Sequence, residues 1–159
     1  MVQKTNAARS LDRLGISYEL RTYDYDPADL DAEKAAAGIG LPPQQVFKTL
    51  VVRGDQTGVC LAVIPSHRQL DLKALAKLSG DRKVQPVPLK EVQALTGYIR
   101  GGVTALACKK AYPVYGDGSL VDHAAIAVSA GTRGMLMVLA PQDYVRSVQA
   151  TLGAIATAD

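Results

Sequence analysis

A lysine interrupts an apolar segment of the chain, which is an unusual place for a cation. The segment "QVFKTLVV", residues 45–52, is rich in β-branched and aromatic side chains, so we predict a strand. Alternation along that strand puts Lys48 on one face with Leu50 and puts Thr49 on the other face. These residues by themselves leave two possibilities open: the ammonium group extends to solvent at the strand end, or it points into a pocket.

Two glycine-containing loops and a tyrosine are the other places where chemistry could occur. The loop "GGVTALA" begins with Gly101 and Gly102, the loop "VSAGTRG" contains Ser129, and the segment "RTYDYDP" contains Tyr23. Each also has an ordinary structural explanation, because paired glycines form turns, a serine can cap a turn, and a tyrosine ring can pack at a sheet edge. The residue types alone therefore do not decide whether these side chains share one pocket with the lysine.

Several catalytic classes lack their sequence signatures. The chain has no GxxxxGK[ST] phosphate loop and no GxSxG nucleophile elbow, and "GIGLPP" lacks the third glycine of a dinucleotide fingerprint. His67 and His123 are isolated, and Cys60 and Cys108 have no CxxC spacing. We therefore expect no metal site, no cofactor and no disulfide framework, and we expect Cys60 to be a small buried side chain.

The composition is that of an ordinary globular protein. The 159 residues are 48% hydrophobic and 21% charged, so we predict one domain spanning residues 1–159. A net charge of +3 permits a polyanionic partner without requiring one, and the lack of Trp argues against a base-stacking platform. No apolar run approaches the roughly 20 residues of a membrane span, and "MVQKTNAARS" lacks the apolar core of a signal peptide. We expect a cytoplasmic protein without a membrane partner.

Hydrophobic periodicity and turn residues predict five helices and seven strands, and a mixed sheet, because strands follow both helices and tight turns. In the first helix we expect Ala8, Leu11 and Leu14 to form the apolar stripe, with Gly15 ending the helix. The stretch "VFKTLVVRGDQTGVCLAVIP" is typical of a hairpin with its turn at "GDQTG". The predicted helices are "TNAARSLDRLG", the part of "DPADLDAEKAAAG" that follows an initial turn and ends at Gly38, "LDLKALAKLSG", "PLKEVQALTG" and "PQDYVRSVQATLG". The remaining predicted strands are "ISYELRTYDY", "KVQPV", "AYPVYGD", "AAIAVSAG" and "GMLMVLA".

Several of these stretches, taken together, resemble the YbaK family of aminoacyl-tRNA deacylases, which are free-standing relatives of the editing domain of bacterial prolyl-tRNA synthetase. The most specific pieces are "VFKTL", "LDLKALAK", "TGYIRGG" and "VSAGTRG", and the resemblance runs from about Lys4 to Val148. Within that family the chain looks most similar to the Cys-tRNA(Pro) deacylase branch. The resemblance implies a single α/β domain with a mixed, barrel-like central β-sheet flanked by short helices, in agreement with the element pattern.

The resemblance also implies which residues act. The family's functional lysine falls on Lys48 and faces the substrate pocket, where it would offset negative charge developing on the ester. For a cysteine substrate, the resemblance implies that the substrate's own thiol attacks its carbonyl, so that Cys60 and Cys108 need no catalytic part. The loop amides around the paired glycines would donate to the ester carbonyl. The implied substrate-binding positions are Tyr23, Thr49, Gly101, Gly102 and Ser129.

The partners implied by the resemblance are the 3′ end of aminoacyl-tRNA, as substrate, and prolyl-tRNA synthetase, as the source of tRNA selectivity. A set of basic residues could contact tRNA phosphates, but ordinary solvated charges would give the same pattern. These candidates are Arg53, Arg82, Lys83, Arg100, Lys109 and Lys110.

One loop departs from the family pattern, which usually has two glycines, an aliphatic residue, Ser or Thr, Pro, an aliphatic residue and Gly. Here "GGVTALA" has Ala105 for the proline and Ala107 for the glycine. The first change frees φ and adds a backbone donor, and the second restricts the backbone. Other functions therefore stay open: a deacylase for Ala-tRNA(Pro) or another small amino acid, a non-catalytic module that binds tRNA or a synthetase, or a small-molecule binding domain.

Overall fold

The computed structural model describes residues 4–158, which form five short α-helices and eight β-strands. The helices are α1 (Asn6–Arg13), α2 (Ala32–Gly38), α3 (Leu72–Ser79), α4 (Leu89–Thr96) and α5 (Pro141–Val148). The strands are β1 (Glu19–Thr22), β2 (Phe47–Gly54), β3 (Gly58–Pro65), β4 (Val84–Pro86), β5 (Val114–Asp117), β6 (Ile126–Ser129), β7 (Met135–Leu139) and β8 (Thr151–Gly153). Every helix and strand predicted from the sequence is present, and β8 is an additional strand.

The strands form two sheets, which contact each other where β2 lies beside β6. A three-stranded antiparallel sheet has the order β1-β7-β6, and a five-stranded sheet has the order β4-β2-β3-β5-β8. The larger sheet is mixed, because β2 pairs antiparallel with β3 and β4, whereas β5 pairs parallel with β3 and β8. One parallel bridge between Val46 and Ala127 connects the sheets. The mixed sheet with flanking short helices is therefore confirmed, although the described strands do not close into a barrel.

The ends of the helices follow from local hydrogen bonding. The N–H of Ala8 donates to Thr5 Oγ1 at 3.2 Å, which caps α1, and the N–H of Ala74 donates to the Asp71 carboxylate at 3.0 Å, which caps α3. Gly80 ends α3 in the left-handed conformation, with φ of +86°. None of the helices within residues 4–158 is long and apolar enough to cross a membrane.

Both faces of β2 are buried, because alternate residues pack into different clusters. Phe47 and Val51 belong to the largest cluster, to which α1, α4 and α5 contribute. Val52 belongs to a second cluster together with Cys60, which is buried as predicted, and with Leu75 of α3. A strand covered on both faces needs apolar residues at nearly every position, which explains the continuous apolar sequence around the lysine.

Two details differ from the sequence-based expectation. Leu14 is 58% exposed, because α1 ends at Arg13 and the helix buries Ala7 instead. The last helix ends at Val148, with Gln149 in the left-handed conformation, and the following residues form β8. That strand pairs with β5 at the edge of the sheet, so its formation depends on a distant partner that helical periodicity does not reveal.

Candidate functional site

A cleft of about 970 Å³ lies along one edge of β2, and five of the six predicted site residues line it. Its walls come from the segment 23–35, from β2, from the segments 69–72 and 86–92, and from the glycine loop and β6. The lining residues among those predicted are Tyr23, Lys48, Thr49, Gly101 and Ser129. The sixth, Gly102, is buried next to the lining. The fold thus gathers residues that are up to about a hundred positions apart in the sequence.

The edge of β2 that faces the cleft has a gap in its strand pairing. On its other edge, β2 pairs with β3 along its whole length. On the cleft edge, β4 pairs only with Val52–Gly54, and the bridge to β6 lies at Val46, just before β2 begins. β6 lies close to β2, but no strand of the described residues is paired with residues 48–50 on this edge. The cleft opens at that gap.

Lys48 is a partly buried cation in the wall of the cleft. Among residues 4–158, no carboxylate forms an ion pair with its ammonium group. Burial lowers the pKa of Lys48, and the negative charges of Asp31 and Glu33 act in the opposite direction. The lysine therefore lines a pocket, which was one of the two possibilities that the sequence left open.

Tyr23 follows β1 and is fixed in the wall by two glycines. Its N–H donates to the carbonyl oxygen of Gly134 at 2.9 Å, which extends the pairing of β1 with the β7 side. A Cβ on Gly38 would lie 2.8 Å from the Tyr23 Cβ, so a glycine is needed where α2 ends against the tyrosine. Burial raises the pKa of the Tyr23 hydroxyl, which is therefore a neutral hydrogen-bonding group at neutral pH.

Ser129 ends β6 and lies on the same face as Lys48. Alternation along β6 groups Ser129 with Ala127, which packs against Val46 in one buried cluster. The Ser129 Oγ accepts a hydrogen bond from the N–H of Gly131 at 3.2 Å. The serine therefore caps its own turn, and its hydroxyl proton is still able to donate into the cleft.

Thr49 lies on the opposite face of β2, so the cleft borders both faces of the strand, and we call its two parts the lysine lobe and the valine lobe. The lysine lobe contains Tyr23, Lys48 and Ser129. The valine lobe contains Thr49, Val51, Val87, Val92 and Val103, which line the cleft on the side of the largest buried cluster. Sequence reasoning missed these valines, because apolar residues in strands and helices are far more often part of a core than of a binding site.

The paired glycines hold two loops against each other. A Cβ on Gly102 would lie 3.1 Å from the Cα of Thr132, so the backbones of the two loops are in contact there. Gly101 has φ of +87°, which favours glycine. The N–H of Gly102 donates to the carbonyl oxygen of Ile99 at 2.9 Å. That amide is therefore already occupied and does not point to a substrate.

Tyr98 anchors the same loop and was not among the predicted site residues. Its hydroxyl donates to the carbonyl oxygen of Leu106 at 2.6 Å, and the Ala107 carbonyl lies at 3.2 Å. Burial raises the pKa of the Tyr98 hydroxyl to about 12. Ala107 has φ of +55°, a conformation that favours glycine, which explains why the family pattern has glycine at this position. The signal for Tyr98 was present in the "TGYIRGG" stretch.

Charges surround the cleft unevenly. Four aspartates of the segment 24–31 line one rim, and Lys34 forms an ion pair with Asp29. Of the predicted phosphate contacts, Arg100 lines the cleft, whereas Arg53 pairs with Glu91 at 3.0 Å. The other four are exposed and lie outside the lining. Residues 4–158 contain no group of three or more His, Cys, Asp or Glu side chains arranged to hold a metal ion.

Comparison with known proteins gives a consistent family. Residues 26–147 match the family described as the aminoacyl-tRNA editing domain. A protein of Enterococcus faecalis named EbsC, a candidate Cys-tRNA(Pro)/Cys-tRNA(Cys) deacylase, is 44% identical over 140 residues, which cover 88% of this chain and 85% of the relative.

Solved structures show the same fold at low sequence identity. A candidate trans-editing enzyme for prolyl-tRNA synthetase has a TM-score of 0.85 and 23% identity, with 99% of this chain and 100% of that chain covered. A hypothetical protein has a TM-score of 0.87 and 24% identity, with 96% of this chain and 100% of that chain covered. These two structures establish the fold.

Proposed function

The chain belongs to the aminoacyl-tRNA editing domain family, and on that basis we propose that it hydrolyses the ester of mischarged aminoacyl-tRNA, with Cys-tRNA(Pro) as its main substrate. The observation that carries the proposal is Lys48, a partly buried lysine that lines the cleft and has no ion-pair partner within residues 4–158. A cation without a contacting carboxylate is available to an anionic group of the substrate.

The proposed chemistry needs no protein nucleophile. An aminoacyl ester is already reactive, so positioning and stabilisation of developing negative charge are sufficient to accelerate its cleavage. In this proposal Lys48 is the catalytic residue and offsets the charge that develops on the ester oxygens. Tyr23 and Ser129 orient the substrate from the lysine lobe, and Thr49 orients it from the valine lobe. Gly101 and Gly102 shape the wall between them.

For cysteine, the substrate would supply the nucleophile. Its thiol sulfur attacks its own ester carbonyl, a C–S bond forms, the C–O ester bond breaks, and the thiol proton passes to the 3′ oxygen of the terminal ribose. A cyclic thioester leaves. The protein's own thiols are unsuited to this step, because burial raises the pKa of Cys60 and of Cys108 to about 11, so both stay protonated near neutral pH.

The proposed partners are the 3′ end of tRNA and prolyl-tRNA synthetase. The cleft is lined by a single candidate phosphate contact among those predicted, Arg100, and its rim carries four aspartates, so strong contact with the body of the tRNA is not expected from the described surface around the cleft. A synthetase that has already bound its tRNA would supply selectivity. A protein of the same fold is a candidate trans-editing enzyme for prolyl-tRNA synthetase, which supports this choice. We place the reaction in the cytoplasm, where tRNA is charged.

A second substrate is favoured by one observation. The glycine loop carries Ala105 and Ala107 in place of the family's proline and glycine, and Val103 of this loop lines the valine lobe. A changed loop can alter the size of that lobe. Alanine or another small amino acid on tRNA(Pro) is therefore the alternative substrate.

The test is deacylation of Cys-tRNA(Pro), Cys-tRNA(Cys) and Ala-tRNA(Pro) by the wild type and by Lys48→Ala, with and without prolyl-tRNA synthetase. We expect rapid loss of cysteine from tRNA(Pro) that depends on Lys48. Loss of alanine alone would move the assignment to the alternative substrate. Binding of tRNA without cleavage of any ester would identify a non-catalytic module, and cleavage that is unchanged in a folded Lys48→Ala variant would refute the role of the lysine.

A further inference from the structure

Within residues 4–158, residues 48–50 of β2 form an unpaired strand edge that faces the cleft. We propose that the backbone of Thr49 binds the aminoacyl group: its N–H donates to the ester carbonyl oxygen, and its C=O accepts from the α-ammonium group. This inference rests on the proposed deacylase function, and it assigns recognition of the amino acid to main-chain atoms instead of to the glycine loop.

Three hydrogen bonds establish which backbone groups of β2 face the cleft. The carbonyl of Val51 accepts from the N–H of Val87 at 3.0 Å, on the edge opposite β3. The N–H of Leu61, which is the β3 partner of Val51, donates away from β2 to the Pro113 carbonyl at 2.9 Å. Val46 is an odd number of residues from Val51, so its backbone groups point to the opposite edge. Its carbonyl accepts from the N–H of Ser66, on the β3 side, at 2.8 Å.

Thr49 is two residues from Val51 along β2, so its N–H and C=O point to the same edge as those of Val51, away from β3. In an antiparallel pair, residues alternate between those that exchange both hydrogen bonds with the partner strand and those that exchange neither. Leu50 therefore belongs to the β2–β3 ladder, and Thr49 does not. Within residues 4–158, no strand is paired with Thr49 on the edge away from β3, and Thr49 lines the cleft.

An aminoacyl ester carries the two groups that such an edge lacks. A residue in a hydrogen-bonded antiparallel pair presents one N–H and one C=O to its partner. The substrate presents an α-ammonium group and an ester carbonyl in the same relative positions. Edge strands bind added peptide strands through these same main-chain bonds. A single amino acid can therefore occupy the gap as if it were one residue of a neighbouring strand.

This arrangement determines where the amino acid side chain goes. Side chains of directly opposed residues in an antiparallel pair lie on the same face of the sheet. An L-amino acid opposite Thr49 therefore places its side chain in the valine lobe, against Val87, Val92 and Val103. The lysine lobe, on the other face, is left for the ester oxygen and the terminal ribose.

The glycine loop offers fewer N–H donors for the ester carbonyl than the sequence analysis expected. The N–H of Gly102 is occupied by the Ile99 carbonyl. An unpaired strand edge is also costly to leave uncovered, because exposed main-chain groups attract other chains. A cleft that keeps such an edge open but shielded by its walls is consistent with a substrate that pairs with it.

The matched variants are Thr49→Pro, Thr49→Ala and Leu50→Pro. Proline removes an N–H and is tolerated on strand edges where that N–H is outside the ladder. We expect Thr49→Pro to stay folded by circular dichroism and Leu50→Pro to unfold. Thr49→Ala removes the hydroxyl but keeps the N–H, so the ratio of kcat/KM between the alanine and proline variants measures the amide. We expect the proline variant to be about tenfold slower or more than the alanine variant on Cys-tRNA(Pro).

A second measurement uses the wild-type protein and a substrate analogue. The 3-mercaptopropionyl ester of tRNA(Pro) keeps the thiol and the ester but lacks the α-amino group. We expect its kcat/KM, relative to its spontaneous hydrolysis, to be about 10- to 100-fold below that of the cysteinyl ester. Equal relative rates, or equal rates for folded Thr49→Pro and Thr49→Ala, would overturn the inference. Cleavage of no ester by the wild type would instead overturn the proposed function itself.

Discussion

The guanidinium of Arg133 donates from Nε to the carbonyl oxygen of Arg100 at 2.8 Å. Arg100 precedes the paired glycines, and Arg133 lies in the loop after Ser129, so this bond ties together the two loops that carry predicted site residues. The bond is reinforced by the close contact of Gly102 with the backbone of Thr132. The position of the glycine loop thus depends on a side chain that does not line the cleft.

Arg133→Lys and Arg133→Ala are expected to loosen the glycine loop with little loss of stability. A single hydrogen bond with exposed partners contributes about 1 kcal/mol, so kcat/KM for Cys-tRNA(Pro) should fall by at most roughly tenfold. Tm should change by only a few degrees. Arg13→Ala, an exposed arginine of α1 that lies outside the cleft lining and outside the candidate phosphate contacts, is the control for loss of surface charge. An equal loss of activity in Arg13→Ala would contradict the positioning role.

Lys48→Met is expected to abolish most of the deacylase activity without destabilising the fold. A charged group is partly desolvated at this position, and methionine has a similar length and no charge. The expected loss in kcat is about 100-fold or more, as for other groups that stabilise developing charge. Thermal unfolding should give an equal or higher Tm. A clear decrease in Tm would mean that the lysine is mainly structural.

The lowered pKa of Lys48 also predicts how stability and activity depend on pH in the wild type compared with Lys48→Met. Because the folded protein releases this proton at lower pH than the unfolded chain does, the cost of burying the charge is present at neutral pH. That cost decreases as the pH rises from the folded pKa toward the usual lysine range. Over the same range Lys48 loses the positive charge that is proposed to act on the ester. The ratio of wild-type to Lys48→Met activity should therefore fall with rising pH, starting below pH 10.5. A ratio that stays constant through that range would contradict a role for the charged form.

Ala107→Gly is expected to stabilise the protein. Ala107 has φ of +55°, where a Cβ is unfavourable, so glycine should raise the free energy of unfolding by roughly 0.5–1 kcal/mol. Gln149→Gly, at φ of +53°, is the matched variant outside the cleft and should behave in the same way. Urea unfolding measures both. If only Gln149→Gly is stabilising, the Ala107 loop has a different conformation in solution.

Asp81→Asn is expected to weaken the β2–β3 hairpin. The Asp81 carboxylate accepts hydrogen bonds from the N–H groups of Gln56 and Thr57, both at 2.8 Å, and from the hydroxyls of Thr57 and Ser79. Burial raises the pKa of Asp81, but these hydrogen bonds outweigh burial and lower it to about 2. The carboxylate therefore stabilises the folded protein above about pH 4, and this stabilisation is lost as the pH falls toward 2.

The measurement for this hairpin is Tm as a function of pH for wild type, Asp81→Asn and Thr57→Val. We expect the wild type to lose more stability between pH 4 and pH 2 than Asp81→Asn does. Thr57→Val removes one donor and should give an intermediate effect. Parallel curves for wild type and Asp81→Asn would show that other carboxylates account for the acid sensitivity.

Much of the fold was predictable because its signals are local. Thr5 and Asp71 begin helices through side-chain hydrogen bonds to nearby N–H groups, and Gly80 ends a helix through its left-handed conformation. The hairpin of β2 and β3 follows from two apolar runs separated by a polar turn. One error was local, since α1 ends at Arg13 and leaves Leu14 exposed. The other had a distant cause, because β8 pairs with β5, which lies far away in the sequence.

The sequence by itself determined the order of the elements, the presence of Lys48 in a strand, and, through the family resemblance, which side chains to expect near a substrate. Strand alternation already placed Lys48 and Thr49 on opposite faces, but only the tertiary structure showed that both line one cleft and that no strand within residues 4–158 is paired with the Thr49 backbone on the cleft edge. The physical reason is that a strand edge stays unpaired only where the neighbouring strands end. Where β4 and β6 stop along β2 depends on packing between segments far apart in the chain, and that cannot be deduced from local residue types.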